Sequence, residues 1–160
     1  MIVYAESSAI LAWLLGEPAA ADVRRILNGA ERVVTSSLTA IECARGLARA
    51  RAAGRITSRD ELAALRLLDV AEGNWDVLQI TERVVARARG TFPVEPVRTL
   101  DAIHLATAGL AMEAVGAVAA LSLDDRIREN FERLGFPGAL ERGAAAPKNR
   151  AGPTRRPGPR

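Results

Sequence analysis

Short apolar runs alternate along this chain with longer segments whose apolar residues recur at helical spacing, and that alternation predicts an α/β fold. The expected architecture is a three-layer α/β/α sandwich around a mainly parallel central sheet. Two observations support it. The runs at residues 2–5, at residues 32–35 and before residue 124 are short and apolar, as strands covered on both faces are. The chain has 160 residues, almost half of them hydrophobic, which is one domain's worth with a real core.

The elements follow in order. Residues 2–5 read as a buried strand. Ser7 or Ser8 can cap a helix running to about Gly16, and Pro18 restarts the chain into a helix that ends near Gly29. Residues 32–35 form a second short strand. Residues 37–53 are helical, with Leu38, Ile41, Ala44 and Ala48 on one face. Ser58 to Glu61 read as a capping box, opening a helix that carries Leu62, Leu65 and Leu68. Residues 75–80 suggest a strand, and Thr81 then caps a helix to about Arg89. A loop covers residues 92–96. From Thr99 to about Met112 runs a helix that is apolar nearly all round, and residues 115–123 make a loop and then a buried strand. A helix over residues 125–134 and an edge strand over residues 135–140 close the expected fold. The domain is expected to span residues 1–142, and residues 143–160 to form a basic, Pro/Gly-rich, disordered tail.

Composition narrows the function. The single Cys43 rules out a disulfide framework, and the single His104 makes a Cys/His zinc site very unfavourable. Five of the 22 basic residues lie in residues 143–160, which hold no acid; residues 1–142 therefore carry 17 basic against 19 acidic residues, a net charge of −2. The body is not a basic nucleic-acid binder by net charge, whereas the tail either adds weak attraction to a polyanion or only solubilises. No positive segment precedes the first apolar stretch and no apolar run is long enough to span a bilayer, so a cytoplasmic protein is expected.

In an open α/β sheet, ligands bind beyond the carboxyl ends of the strands. Four acids fall at or near such places: Glu6 after the first strand, Glu42 in the early turns of the helix after the second, Asp101 at the start of the apolar helix, and Asp124 after the strand ending near Leu123. Each also has a structural reading. Glu6 and Asp124 favour a helix N-terminus through its dipole, Glu42 can close a capping box with Thr39, and Asp101 can sit in a first turn. Asp101 stands apart. Residues 100–112 read LDAIHLATAGLAM, a helix with the pattern of a buried one. A buried carboxylate is costly unless paired or metal-bound, and no Lys or Arg lies within that helix. Clustered carboxylates raise one another's pKa values unless a cation sits among them. Oxygen-only ligands suit Mg²⁺ or Mn²⁺, and the chemistry this supports is phosphodiester hydrolysis, in which one metal activates water and a second stabilises the leaving oxygen.

Other chemistries lack their parts. The only lysine is Lys148, in the tail, so a phosphate-loop nucleotide hydrolase is excluded and the phosphoaspartate enzymes fall behind. Ser/His/Asp catalysis would have to use His104, and no nucleophile-elbow pattern surrounds Ser7.

Four motifs together resemble the PIN-domain ribonucleases, specifically the VapC-type toxins of type II toxin–antitoxin pairs. They are Tyr4-Ala5-Glu6-Ser7-Ser8-Ala9, where the family usually has an Asp; Thr35-Ser36-Ser37 leading to Glu42; Leu100 to Ala108 around Asp101; and Leu121-Ser122-Leu123-Asp124 with the following Leu134-Gly135-Phe136. The match covers roughly residues 1–140. The resemblance implies that Glu6, Glu42, Asp101 and Asp124 hold one or two Mg²⁺ ions, and that single-stranded or loop RNA is cut to 3′-hydroxyl and 5′-phosphate ends. It also implies a homodimer and a small VapB-type antitoxin that blocks the groove. Ser7 either orients a water or phosphate or caps a helix. Arg45 and Arg49, one turn apart on the face of Glu42, contact phosphate or form a solvated face with a Glu42–Arg45 ion pair. His104 reads first as a packed, hydrogen-bonded residue. Leu62, Leu65 and Leu68 read first as a core stripe and second as a groove for the antitoxin. Glu6 departs from the family by one added methylene. That departure leaves a second hypothesis open, a catalytically weakened module that binds RNA or protein, and a nuclease acting on DNA stands behind both.

Overall fold

The structure, a computed structural model, describes residues 1–140. The proposed boundary at residue 142 and the basic tail lie outside the described residues. Four parallel strands make one sheet: β1 (Ile2–Ala5), β2 (Arg32–Ser36), β3 (Asp76–Leu78) and β4 (Val118–Leu121), in the order β3-β2-β1-β4. Seven helices are described: α1 (Ser7–Leu14), α2 (Ala20–Gly29), α3 (Ser37–Ala52), α4 (Ser58–Glu72), α5 (Glu82–Ala88), α6 (Thr99–Val115) and α7 (Asp125–Arg133).

The period-2 alternation of strand side chains builds two cores. Val3, Ala5, Val33 and Leu121 face a layer that includes Ile10 of α1, Val23 of α2, Cys43 of α3 and Leu68 of α4. Tyr4, Val34, Val118 and Ala120 face the opposite layer, with Leu105 of α6 and Ile127 and Phe131 of α7. The three-layer α/β/α fold is therefore as expected. β1 has Ile2 beside Arg32 on one side and beside Val118 on the other. After β3 the chain crosses back to lay β4 on the far side of β1. α1 then leaves β1 over one face while α7 leaves β4 over the other. The carboxyl ends of these two strands open a crevice between the layers, the place where such sheets bind ligands. The Glu6 amide donates to the Leu121 carbonyl at 2.9 Å, so the two strand ends stay together past the last sheet residues.

α3 crosses α1 closely at Gly46, where a Cβ would stand 2.5 Å from Leu11 Cδ2. That approach holds the early turns of α3 against the start of α1, and so brings Glu42 near Glu6.

Several local expectations need correction. Glu6, rather than Ser7 or Ser8, is the N-cap of α1. The capping box of α4 pairs Thr57 with Asp60, one residue earlier than expected. Ile41 is 59% exposed; the buried face of α3 runs through Leu38, Cys43, Leu47 and Ala50. Leu62 is exposed and Leu65 half-buried, so α4 seats itself through Ala64 and Leu68. The edge strand expected at residues 135–140 shrinks to one pair of bonds, from the Ala120 amide to the Pro137 carbonyl and from the Ala139 amide to the Ala120 carbonyl, both 2.8 Å. Pro137 has no N–H to extend the ladder.

Candidate active site

Each acid is delivered to the crevice by a strand end or a helix start. Glu6 follows β1, and its carboxylate turns back to cap α1, accepting from the Ser8 amide at 3.0 Å. Ser7 Oγ donates to Oε1 at 2.6 Å, Ser122 Oγ donates to Oε2 at 2.8 Å, and Ser8 Oγ also donates to Oε2. Glu6 is only 3% exposed, and three hydroxyls with one amide satisfy it. Ser8 Oγ accepts in turn from the Leu123 amide (2.8 Å), and Ser122 Oγ from the Asp124 amide (3.1 Å), so the same hydroxyls shape the turn after β4. Asp124 is the N-cap of α7 and accepts from the Arg126 amide at 2.9 Å. The capping and dipole readings of Glu6 and Asp124 thus hold alongside their place in the crevice.

Glu42 does not close a capping box. Ser36 caps α3, Thr39 is buried and bonded to Thr35, and Glu42 points instead at His104, whose Nε2–H donates to its carboxylate at 2.7 Å. His104 is 1% exposed, and its Nδ1 accepts from the Tyr4 hydroxyl at 3.0 Å. It is the packed, hydrogen-bonded residue expected, but its ring also bridges the second core to the acids, with Nε2 4.0 Å from Glu6. Burial alone would raise the Glu42 pKa; the bonds of His104 and Ser7 and the charge of Arg49 outweigh it and hold the carboxyl below its ordinary value. The Glu42–Arg45 ion pair is not formed.

Asp101 is half-buried rather than enclosed, in the first turn of α6. Burial, then the charges of Asp124 and Glu6, push its pKa up, against a weaker downward pull from Arg98. That mutual repulsion places the acids within electrostatic reach of one another. All four line one cleft of about 350 Å³ with Ser7, Ser8, Arg49, Arg98, Thr99 and Leu100. Arg45 is exposed and is not among the lining residues.

The donor set fits a hard divalent cation. Its donors are carboxylate oxygens; ligand atoms of Glu6, Glu42 and His104 all lie within 4.8 Å of one another, and His104, whose Nε2–H is given to Glu42 and whose Nδ1 is taken by Tyr4, orients a carboxylate rather than adding a lone pair. Burial, then Glu6 and Glu42, push the Cys43 thiol up to about 12, so it offers no thiolate. Of the residues around the acids, Arg98 was not anticipated from the sequence, Ser8 was expected only as a helix cap, and Ser122 was given no role. Arg98 lies one helical turn before Asp101, which was the available signal.

The acid-floored cleft thus lies at the switch point of a parallel α/β sheet, where proteins of this class bind their ligands. The sequence pattern of the PIN-domain family matches residues 3–135, and the chain belongs to that family. It is 35% identical to Ribonuclease VapC46 of Mycobacterium tuberculosis over 134 residues, 84% of this chain and 93% of that protein. The resemblance to VapC-type members drawn from the four motifs is borne out. Among the described residues, no helix is long and apolar enough to cross a membrane.

Proposed function

We propose that this protein is a Mg²⁺-dependent endoribonuclease toxin, with Mn²⁺ able to substitute, that hydrolyses RNA phosphodiester bonds in the cytoplasm. The observation that carries the proposal is the convergence of Glu6, Glu42, Asp101 and Asp124 on one cleft, with the Asp101 pKa raised by burial and by its acidic neighbours. Acids so placed gain by holding a cation between them. A divalent ion bound there supplies Lewis acidity and an activated water. The chain's own residues do the rest. Ser7, Ser8 and Ser122 fix the Glu6 carboxylate, His104 aims Glu42, and Arg49 at the cleft wall meets a phosphate. The kinship with a protein named a ribonuclease favours RNA over DNA. Membership of the family supports a VapB-type antitoxin as inhibitor, and the proposal includes a homodimer as the working form.

One observation favours a second reading. Both Glu6 oxygens are already engaged by hydroxyls, which lowers their availability as ligands and suits a module that binds RNA or protein with weakened catalysis. Purified protein, free of antitoxin, incubated with mixed RNA and in parallel with DNA, in Mg²⁺ or Mn²⁺ against EDTA, separates the two. The expected result is metal-dependent cleavage of RNA, reduced at least a hundredfold in Asp101→Asn. Intact RNA with folded protein and either metal overturns the nuclease proposal. Activity restored in Glu6→Asp would trace the loss to one methylene.

A further inference from the structure

Arg98 stands where a helix-capping acceptor is ordinarily found. It is the N-cap residue of α6, and its side chain makes no capping bond. A cation there faces the positive end of the helix dipole, an unfavourable position. No fixed ion pair offsets this: its carbonyl accepts from the Ala102 amide at 2.8 Å, but among the described residues its guanidinium forms no hydrogen bond or salt bridge, whereas Arg25, Arg32, Arg51, Arg55 and Arg87 each bond an acid. The side chain is exposed and lines the acidic cleft.

The backbone that carries Arg98 is firmly held. The Glu95 carboxylate accepts from the Phe92 amide at 3.0 Å and from the Val97 amide at 2.7 Å. Asn130 of α7, 2% exposed, accepts from the Val94 amide (3.0 Å) and donates to the Val94 carbonyl (2.9 Å). The loop is therefore tied to itself and to α7, which begins beside Asp124. Arg49 also lacks an ion pair and reaches the same cleft, but from α3, in the opposite layer. The cleft thus has a guanidinium on each wall and carboxylates on its floor.

Carboxylates repel a polyanion, so a strand that enters needs cations that the acids have not already claimed. We propose that Arg98 is a substrate-binding residue that pairs with Arg49 to grip the phosphates of a single RNA strand flanking the scissile bond, one guanidinium from each layer. This rests on the nuclease reading for its substrate class. A guanidinium suits the task because its planar fork bonds a phosphate through two N–H groups.

The test is binding of a short fluorescent mixed-sequence RNA to the full chain in Ca²⁺ over a series of salt concentrations, with cleavage in Mg²⁺ measured alongside. Arg98→Ala should weaken binding about tenfold and flatten the log–log salt dependence by about 0.7, the loss of one phosphate contact on a single strand. Arg98→Lys should keep the slope and recover part of the affinity. Arg66→Ala, on α4 away from the cleft, should match wild type. In cleavage, Arg98→Ala should raise KM more than it lowers kcat. Arg98→Ala with wild-type affinity and slope overturns the proposal, and Arg98 then only tempers the charge of Asp101. RNA bound but left uncut by the wild type defeats the nuclease reading alone, and Arg98 is still judged by its slope. A wild type that binds no RNA overturns both.

Discussion

At Glu6 the side chain is long enough to join two strand ends. It leaves β1, collects Ser7 and Ser8 from the start of α1, and reaches Ser122 just past β4. Hydrogen bonds to a charged acceptor are each worth about 1.5–3 kcal/mol when buried, more than a neutral pair. Ser122→Ala removes one of them and leaves the Asp124 amide without its hydroxyl partner. The expected loss of stability is about 2 kcal/mol, read as a lower midpoint of urea unfolding with an unchanged slope. A midpoint equal to wild type would mean that Ser7 and Ser8 suffice. The presence of the acid at this position was legible in the sequence, because a carboxylate between a buried strand and a helix is conspicuous. Its wrapping by three hydroxyls was not, because Ser122 lies 116 residues away and only the strand order brings it there.

At the scale of elements, helix identity was legible and helix starts were less so. Period and length place α3, α4, α6 and α7 because apolar spacing persists over many residues. A cap depends on one residue and competes with its neighbours. Thr57 and Ser58 both carry hydroxyls, and the one chosen is the one with an acid three residues on whose side chain reaches back. Asp60 accepts from the Thr57 amide at 2.9 Å, while Thr57 Oγ1 accepts from the Asp60 amide at 3.2 Å. Those bonds hold the Asp60 carboxyl below its ordinary pKa, through the Thr57 side chain first and its amide second. Thr57→Ala should therefore destabilise the protein by about 1 kcal/mol, and Ser58→Ala by a few tenths at most. Thermal unfolding of the two variants decides it, and equal losses would contradict the assignment. The expected strand at residues 135–140 failed for a similar local reason: a proline in its middle limits it to one bridge, although its apolar residues, Phe136 and Leu140, are buried as a strand's would be.

At the scale of the whole molecule, the meeting of the four acids could be expected from their places at strand ends and from the family resemblance, but the strand order that brings it about is not written in any local segment. They lie just after β1, on α3, on α6 and in the turn after β4, and only the β3-β2-β1-β4 order, with the return crossing to the far side of β1, gathers them. The fold therefore sustains a repulsion that it would avoid were the acids spread out. An acid whose pKa rises on folding binds its proton more readily in the native state, so its ionised form costs stability at neutral pH and the cost fades as pH falls through the raised value. Asp101 is such an acid. Two consequences follow for the melting temperature. In EDTA at pH 7, Asp101→Asn should melt above wild type, and the gap should narrow as the pH falls and Asp101 takes up its proton. On adding Mg²⁺ or Mn²⁺ to a hundred times its dissociation constant, wild type should gain roughly 2.7 kcal/mol, or roughly 5–10 °C, because only the folded chain assembles the ligands. Asp101→Asn should gain little. The crossing of the two proteins, with the mutant more stable without metal and the wild type more stable with it, is what a cation site maintained against electrostatic strain requires. Parallel curves, with metal shifting neither protein, would mean that the acids serve the helix ends and the hydroxyl network rather than an ion.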